Sequence, residues 1–310
     1  ERIIPDTVAI RVAFRRCVRA ELSAVYTLTD AGESLRLLLE SVTRCEPVVA
    51  GADENGAHRL WLVADVPTIA AFQAVVVDRS LVIADGHHRY AAAPAYRHAL
   101  RAVGREPALA DWVLTCIADV ADPGVLVLPI HRLIRGIPSR EASERLGRLA
   151  SSFVVEEIAL PEDGTAAVEQ AAGELAALSG PPAFVVVGPG PRRLTRLRLR
   201  DWEPIRPLLP DEGASAVARL DATLLEAVLL RHALGLADAD LVSAVDYAQD
   251  AAAAYKAVRT SDGTLAVLMR PVSLGDLLAV ARAGKRMPPK STYFFPKIPV
   301  GLVLRDLREA

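Results

Sequence analysis

The stretch Leu81 to Arg97, LVIADGHHRYAAAPAYR, decides how the rest of this sequence is interpreted. A short, partly β-branched apolar run changes abruptly into the polar residues Asp85 to Arg89 (DGHHR), and an alanine-rich segment follows. This pattern predicts a buried strand, a tight turn and then a helix. A helix N-terminus presents unpaired N–H groups, glycine lets a ligand approach the backbone, and an arginine fork can clamp an oxyanion. The turn is therefore a candidate phosphate site, and the alternative is an ordinary turn whose Asp caps the helix.

Two further stretches join this turn in a resemblance to a known family: ADPGVLVLPIHRLI, residues 121–134, and GKRMPPKSTYFFPKIPVGLVL, residues 284–304. Together with ADGHHRY, residues 84–90, they resemble the bacterial and archaeal family called domain of unknown function 1015, over nearly the whole chain. The DGHHR turn is also similar to that of the ParB/sulfiredoxin superfamily, which includes partition proteins, sulfiredoxins and free-serine kinases. In that superfamily the corresponding turn holds nucleotide phosphates. The resemblance therefore implies a nucleotide-binding core.

Length and composition limit the class of protein. A chain of 310 residues with 52% apolar residues is long enough for two modules, each with a core. We find no apolar segment of ~20 residues and no signal peptide, so a soluble cytoplasmic protein without a membrane partner is expected. The chain begins with Glu1 rather than Met, and members of the resembled family carry a further N-terminal region. We therefore expect it to be a fragment.

Charge and cysteine content argue against two further classes. A net charge of −2 argues against a protein that grips nucleic acid along a broad basic face, but it allows one small anionic ligand. The expected partners are a small-molecule nucleotide and a metabolite, and the sequence leaves the oligomeric state open. The three cysteines, Cys17, Cys45 and Cys116, lack the paired spacing of a zinc site or of a disulfide framework.

Helices interspersed with strand pairs predict a mixed α/β (α+β) fold. We expect a ParB/sulfiredoxin-like core over residues 1–135, and an α/β module over residues 136–310 that ends in the loop MPPKSTYFFPK and returns to the core. Residues 112–120 and 125–134 are predicted to form two joined strands. Residues 202–213, with three prolines, form the best linker candidate. The first helix is predicted over residues 5–22.

The turn suggests phosphoryl transfer, which needs phosphates held by N–H groups and cations, a divalent ion and a carboxylate base. Asp85 can hold magnesium directly or through water. The base candidate comes from the resemblance: ERIIPD, at the start of the chain, resembles the family's His-Glu strand end, and the serine kinases use a glutamate before their first helix. The predicted catalytic residues are therefore Glu1, Asp85 and His88, and the predicted nucleotide- or phosphate-binding residues are Gly86, His87, His88 and Arg89. Coordination of a metal by the same Asp and His residues is the alternative, with the metal unknown.

The C-terminal loop gives a second candidate group. Only four lysines occur in the chain, and three of them fall within thirteen residues. Prolines stiffen this loop while it displays ammonium, hydroxyl and phenol groups, so we expect it to pack over the turn. The alternative is a rigid connecting segment between the modules, whose two phenylalanines, Phe294 and Phe295, are buried in a core. The predicted substrate-binding or pocket-completing residues are Tyr90, Lys290, Ser291, Thr292, Tyr293 and Lys297.

The leading hypothesis is a nucleotide-binding protein, an ATP- or ADP-dependent phosphotransferase (a small-molecule kinase) or ATPase that uses Mg²⁺ and acts on a small hydroxyl-bearing metabolite. One alternative is a ParB-like regulator that senses a nucleotide without phosphotransfer. Another is a site for a different small anionic ligand. His131 is a further candidate at the site, although a lone histidine on a strand is more often structural.

Overall fold

A computed structural model of the chain describes residues 3–53, 56–105, 108–188 and 192–308. Its α-helices are α1 (Pro5–Val18), α2 (Glu33–Val42), α3 (Val66–Val76), α4 (His87–Arg101), α5 (Ser139–Gly147), α6 (Thr165–Ala177), α7 (Asp221–Leu224), α8 (Asp238–Ala244), α9 (Ala251–Thr260) and α10 (Leu274–Arg282). Its strands are β1 (Ala20–Glu21), β2 (Val25–Thr29), β3 (Val49–Asp53), β4 (Gly56–Leu60), β5 (Val82–Asp85), β6 (Thr115–Asp119), β7 (Leu126–Leu128), β8 (His131–Ile134), β9 (Phe153–Ala159), β10 (Ala183–Val187), β11 (Arg193–Leu199), β12 (Val245–Ala248), β13 (Leu265–Leu268), β14 (Tyr293–Phe295) and β15 (Arg305–Asp306). The predicted mixed α/β class is confirmed.

The chain divides into two compact units. The first contains residues 1–126 and the C-terminal residues 294–310, and the second contains residues 127–293. The C-terminal segment thus returns to the first unit, where β15 pairs with β1. The two domains predicted from the sequence, residues 1–135 and 136–310, stay a prediction.

The first unit is built on a three-stranded sheet with β2 at its centre. β2 runs antiparallel to β5 and parallel to β6, and all five of its residues are buried. The register pairs Tyr26 with Asp85, so the polar end of β5 lies beside the beginning of the buried central strand. Helix α1 packs against α4. It ends at Val18, earlier than predicted, because Arg19 adopts a left-handed conformation with φ 52°.

The second unit is built on a six-stranded antiparallel sheet with the strand order β12-β8-β13-β10-β11-β9. Both faces are covered, so all residues of β10 are buried rather than alternating. One face carries a core formed with α5 and with α7, which continues as a π-helix over Leu225–Ala233. The other face carries a core formed with α6 and α9.

Two sequence-based element predictions need correction. The strand predicted over residues 112–120 is present as β6, but the one predicted over 125–134 is divided into β7 and β8, and β6 and β8 belong to different sheets. The linker predicted at residues 202–213 lies inside the second unit, where Ile205 and Leu209 are buried in the core. Its prolines begin short 3₁₀ turns at Arg206–Leu208 and Pro210–Gly213.

Candidate functional site

The turn at the end of β5 has the predicted strand, glycine and helix order. β5 ends at Asp85, Gly86 is the N-cap residue of α4, and the helix begins at His87. Gly86 has φ 91° and ψ 24°, a left-handed conformation that glycine adopts without strain. As a glycine, Gly86 has no side chain with which to cap this helix. The positive end of the helix dipole lies at this turn, which favours an anion there.

A cavity of about 450 Å³ opens in front of this turn. Its walls come from the first unit alone: the turn itself, one side of α1, the segment after α1 and one residue of the C-terminal segment. The lining residues are Thr7, Arg11, Phe14, Arg15, residues 20–23, residues 85–89 and Val300. Arginine and histidine side chains outnumber the two acidic residues, Glu21 and Asp85, so the lining favours an anion.

Arg89 is held directly over Gly86. Its Nη1 donates a hydrogen bond to Ser23 Oγ at 2.6 Å, and its Nη2 donates to Asp85 Oδ2 at 2.9 Å. A Cβ atom on Gly86 would lie only 2.7 Å from Arg89 Nε. The absence of a side chain on Gly86 therefore lets the guanidinium lie against the backbone of the turn, and its role as a phosphate clamp stays a prediction.

Lys297 also faces the turn. Its Nζ lies 3.9 Å from Asp85 Oδ1, while Arg89 contacts the other carboxylate oxygen. Asp85 is consequently placed between two cations, and its carboxylate is about half exposed. One of the scarce lysines of the C-terminal loop is thus brought to the turn, within the first unit.

His88 connects the turn to the beginning of α1. Its Nε2 accepts a hydrogen bond from the backbone N–H of Ile4 at 3.0 Å. The accepting nitrogen carries no proton, so in the neutral ring the proton is on Nδ1. His87 is half-buried and lines the cavity, whereas Tyr90 is 51% exposed and lies outside the lining. Glu1, the predicted base, lies outside the described residues.

Sequence reasoning missed a buried charge network at one wall of the cavity. Glu21 accepts from Arg15 Nη2 at 2.5 Å, from Arg305 Nη1 at 3.2 Å and from the backbone N–H of Leu114 at 2.6 Å. Arg15 also reaches the backbone carbonyl of Arg89 at 3.5 Å. The pKa of the Arg15 guanidinium is lowered, because the effect of burial exceeds the opposing effect of the Glu21 carboxylate. The network fixes α1 relative to the first turn of α4, and the signal in the sequence was the basic side of α1.

The rest of the predicted C-terminal group belongs to the second unit. Lys290 is exposed with φ 56°, and its carbonyl accepts from Nη2 of the buried Arg132 at 3.0 Å. Ser291 is buried, and its Oγ donates to the carbonyl of Pro288 at 2.7 Å, which is a structural contact. Thr292 and Tyr293 are half-buried. The packing of this group over the turn stays a prediction.

Metal coordination finds little support in the donor set. Among the described residues, no group of three or more His, Cys, Asp or Glu side chains is arranged to hold a metal ion. Both oxygens of Asp85 face cations, so the residues around it do not by themselves fit magnesium. Mg²⁺ often binds through one or two carboxylates together with phosphates, so it would arrive on a nucleotide.

Two smaller predictions are tested by the same structure. His131 is buried in β8, and its Nδ1 accepts from the backbone N–H of Met269 at 3.1 Å. Burial lowers its pKa to about 4, which keeps the ring neutral and confirms the structural interpretation. Within the described part of the chain, no helix is both long and apolar enough to span a membrane.

Comparisons with known proteins give one family. A family model described as a protein of unknown function (DUF1015) matches residues 1–223. A comparison with curated proteins finds no match. Similar solved structures include SbnI with a C-terminal truncation from Staphylococcus aureus, with 12% identity, TM-score 0.45, and coverage of 98% of this chain and 82% of that chain.

Two other solved structures have similar scores. A mutant free serine kinase in complex with ADP has 12% identity and TM-score 0.41, with coverage of 94% of this chain and 81% of that chain. A conserved hypothetical protein from Pyrococcus furiosus has 12% identity and TM-score 0.42, with coverage of 96% and 87%.

Proposed function

Because this chain belongs to the DUF1015 family, whose common description is a protein of unknown function, we propose a function from the geometry of its own site. The turn Asp85 to Arg89 binds the phosphates of ATP or ADP. The protein is a phosphotransferase or ATPase, and its phosphate acceptor is a small hydroxyl-bearing metabolite. The observation that carries the proposal is the N-terminus of α4, whose N-cap residue Gly86 has no capping side chain and lines a cavity of about 450 Å³ together with residues 87–89.

Three features of this cavity support a phosphate ligand. The backbone N–H groups of the first helical turn are suited to phosphate oxygens, since the helix dipole favours negative charge there. The guanidinium of Arg89 is already oriented by Ser23 and Asp85, so little conformational entropy is lost when it binds. The cavity volume lies in the ~300–1,000 Å³ range of small-molecule sites, so a nucleotide is a suitable size of ligand.

The similarity of the DGHHR turn to that of the ParB/sulfiredoxin superfamily supports the same assignment. In this assignment His87, His88, Arg89 and Lys297 contribute positive charge or donors around the phosphates. Magnesium supplies charge neutralisation of the phosphates when it is bound with the nucleotide. The catalytic roles of Asp85, His88 and Glu1 stay predictions.

The first experiment is a calorimetric titration of the wild-type chain with ATP, ADP, AMP and inorganic phosphate. We expect Arg89→Ala to weaken ADP binding by about 1.5–3 kcal/mol, the range for a charge-assisted hydrogen bond, which is roughly 10- to 150-fold. Arg97→Ala is the matched control, because Arg97 lies on the same helix and binds Asp111 at the surface. Equal ADP affinity in wild type and Arg89→Ala contradicts the proposal.

The second experiment separates an enzyme from a regulator. The protein is incubated with ATP carrying a labelled γ-phosphate and a panel of hydroxyl-bearing metabolites. Label in a metabolite identifies a phosphotransferase, and label only in inorganic phosphate identifies an ATPase. Nucleotide binding without either product identifies the regulator. If Glu1 is the base, Glu1→Gln is expected to lose turnover while ADP affinity stays unchanged.

A further inference from the structure

Helix α2, strands β3 and β4, and helix α3 form a continuous segment in which α2 and α3 pack against each other but no described residue after Leu35 is fully buried. Of the described residues in this segment, 36–53 and 56–80, none is buried. The last buried side chain before it is Leu35 at the beginning of α2. We call residues 36–80 the apolar arm.

Helix α3 has the composition of a core helix. Its sequence, VPTIAAFQAVV, contains no charged residue, yet none of its residues is buried. Val66 is 76% exposed and Ile69 is 38% exposed, and Val77 immediately after the helix is 73% exposed. A helix that is apolar on all sides is normally buried, and a helix of this length gains most of its stability from packing. The exposed faces of α3 therefore indicate a missing contact.

The hairpin β3–β4 is likewise exposed without a covering element. Among the residues that the structure describes, the two strands pair only with each other, so each has one free edge, and all five residues of β3 are exposed. A two-stranded sheet is marginally stable in water without a further covering element. The sequence of β3, VAGAD, contains neither Lys nor Pro, the residues that commonly protect an edge strand from pairing with another chain.

We propose that the apolar arm is the interface of a homodimer, in which a second copy of this chain covers α3 and the free edge of β3. An antiparallel strand edge is self-complementary, so a two-fold axis lets each copy pair with the same edge of the other and closes the assembly at two. The arm's apolar surface also matches itself. Its exposed aliphatic side chains are Leu37, Leu39, Val48, Val49, Leu62, Val66, Ile69 and Val77.

Size and charge agree with a second copy of this chain. The arm presents eight aliphatic side chains that are 38–76% exposed. It spans 45 residues, 36–80, and a standard interface uses roughly 20–30 residues per side. Arg36 is already paired with Glu33 and Glu40 within α2. His58 is paired with Asp53 across the hairpin. The other charged side chains of the arm's described residues are three of each sign, Arg44, Arg59, Arg79, Glu46, Asp65 and Asp78. The arm therefore has no excess of either charge, which fits a second copy of itself better than a strongly acidic or basic partner.

The experiment measures mass and protection on the full chain. Sedimentation equilibrium over micromolar concentrations is expected to give a mass near twice 33.2 kDa. Ile69→Glu on α3 and Ala50→Lys on β3 are each expected to weaken the dimer at least tenfold, with an unchanged circular dichroism spectrum because both positions are exposed. Val103→Glu, at a 68% exposed position outside the arm, is the control and stays dimeric.

Hydrogen exchange gives a second measurement that does not depend on mass. The amides of α3 are expected to be protected in the wild type and to exchange faster in Ile69→Glu. A monomer at every concentration overturns the proposal, and so does a dimer that both arm variants leave intact. A monomer whose α3 is nevertheless protected also overturns it, because another part of the chain then covers the arm.

Discussion

Substituting Gly86 by alanine tests whether the turn works through its backbone. Gly86 has φ 91°, and a non-glycine residue in the left-handed region costs about 1–2 kcal/mol. The new methyl would also lie 2.7 Å from Nε and 2.8 Å from Nη2 of Arg89, so the guanidinium must move away. Its hydrogen bonds to Ser23 and Asp85 are then weakened, which adds about 1 kcal/mol for such partly exposed contacts. We expect Gly86→Ala to lose about 2–3 kcal/mol of unfolding free energy.

Gly104 provides the control for backbone strain. It has φ 75°, just after α4, and an added Cβ would meet nothing within 4 Å. Gly104→Ala is therefore expected to lose only the unfolding free energy due to backbone strain, about 1–2 kcal/mol, and to leave Arg89 in place. Urea denaturation of both variants measures the difference in stability. Calorimetric titration with ADP measures the binding affinity of both variants. We expect the affinity to fall at least tenfold in Gly86→Ala and to stay unchanged in Gly104→Ala.

The outcomes test the geometry of the turn separately from the identity of the ligand. If both glycine variants lose the same stability and ADP affinity is unchanged in each, then Arg89 does not depend on the absent side chain and the reasoning is refuted. If wild-type protein does not bind ADP, the proposed nucleotide fails, while the difference in stability still tests the geometry of the turn.

The buried charges give two further predictions. Glu21→Gln keeps the shape of the side chain but leaves its two arginine partners without a counter-charge, so we expect a loss of about 3–5 kcal/mol by urea denaturation. Glu33→Gln, at an exposed helix pair, should cost under ~1 kcal/mol, and an equal loss in both variants contradicts the role of the network. For His131 the folded pKa of about 4 lies below the unfolded value of 6.5, so its contribution to stability is complete above pH 6.5 and falls by about 3 kcal/mol as the pH drops to 4. His131→Asn keeps an acceptor for the N–H of Met269, and a pH–stability curve as steep as that of the wild type contradicts this assignment.

The element that the sequence predicted best is also the most local one. A strand end, a glycine in a left-handed conformation and a helix N-terminus are determined by neighbouring residues, so DGHHR was sufficient to place the turn. The hairpin of β3 and β4 is local in the same sense, since its strands are joined by only two residues, 54 and 55. The structural character of His131 followed from its place on an apolar strand.

Side-chain partners across the cavity were decided only by the tertiary structure. Glu21, for example, meets Arg305 across 284 residues of sequence. The linker prediction failed for a related reason, because prolines at residues 202–213 also suit short turns whose apolar residues enter a core. Periodicity and turn residues specify local backbone conformation, whereas charge pairing and burial depend on which distant segments the fold brings into contact.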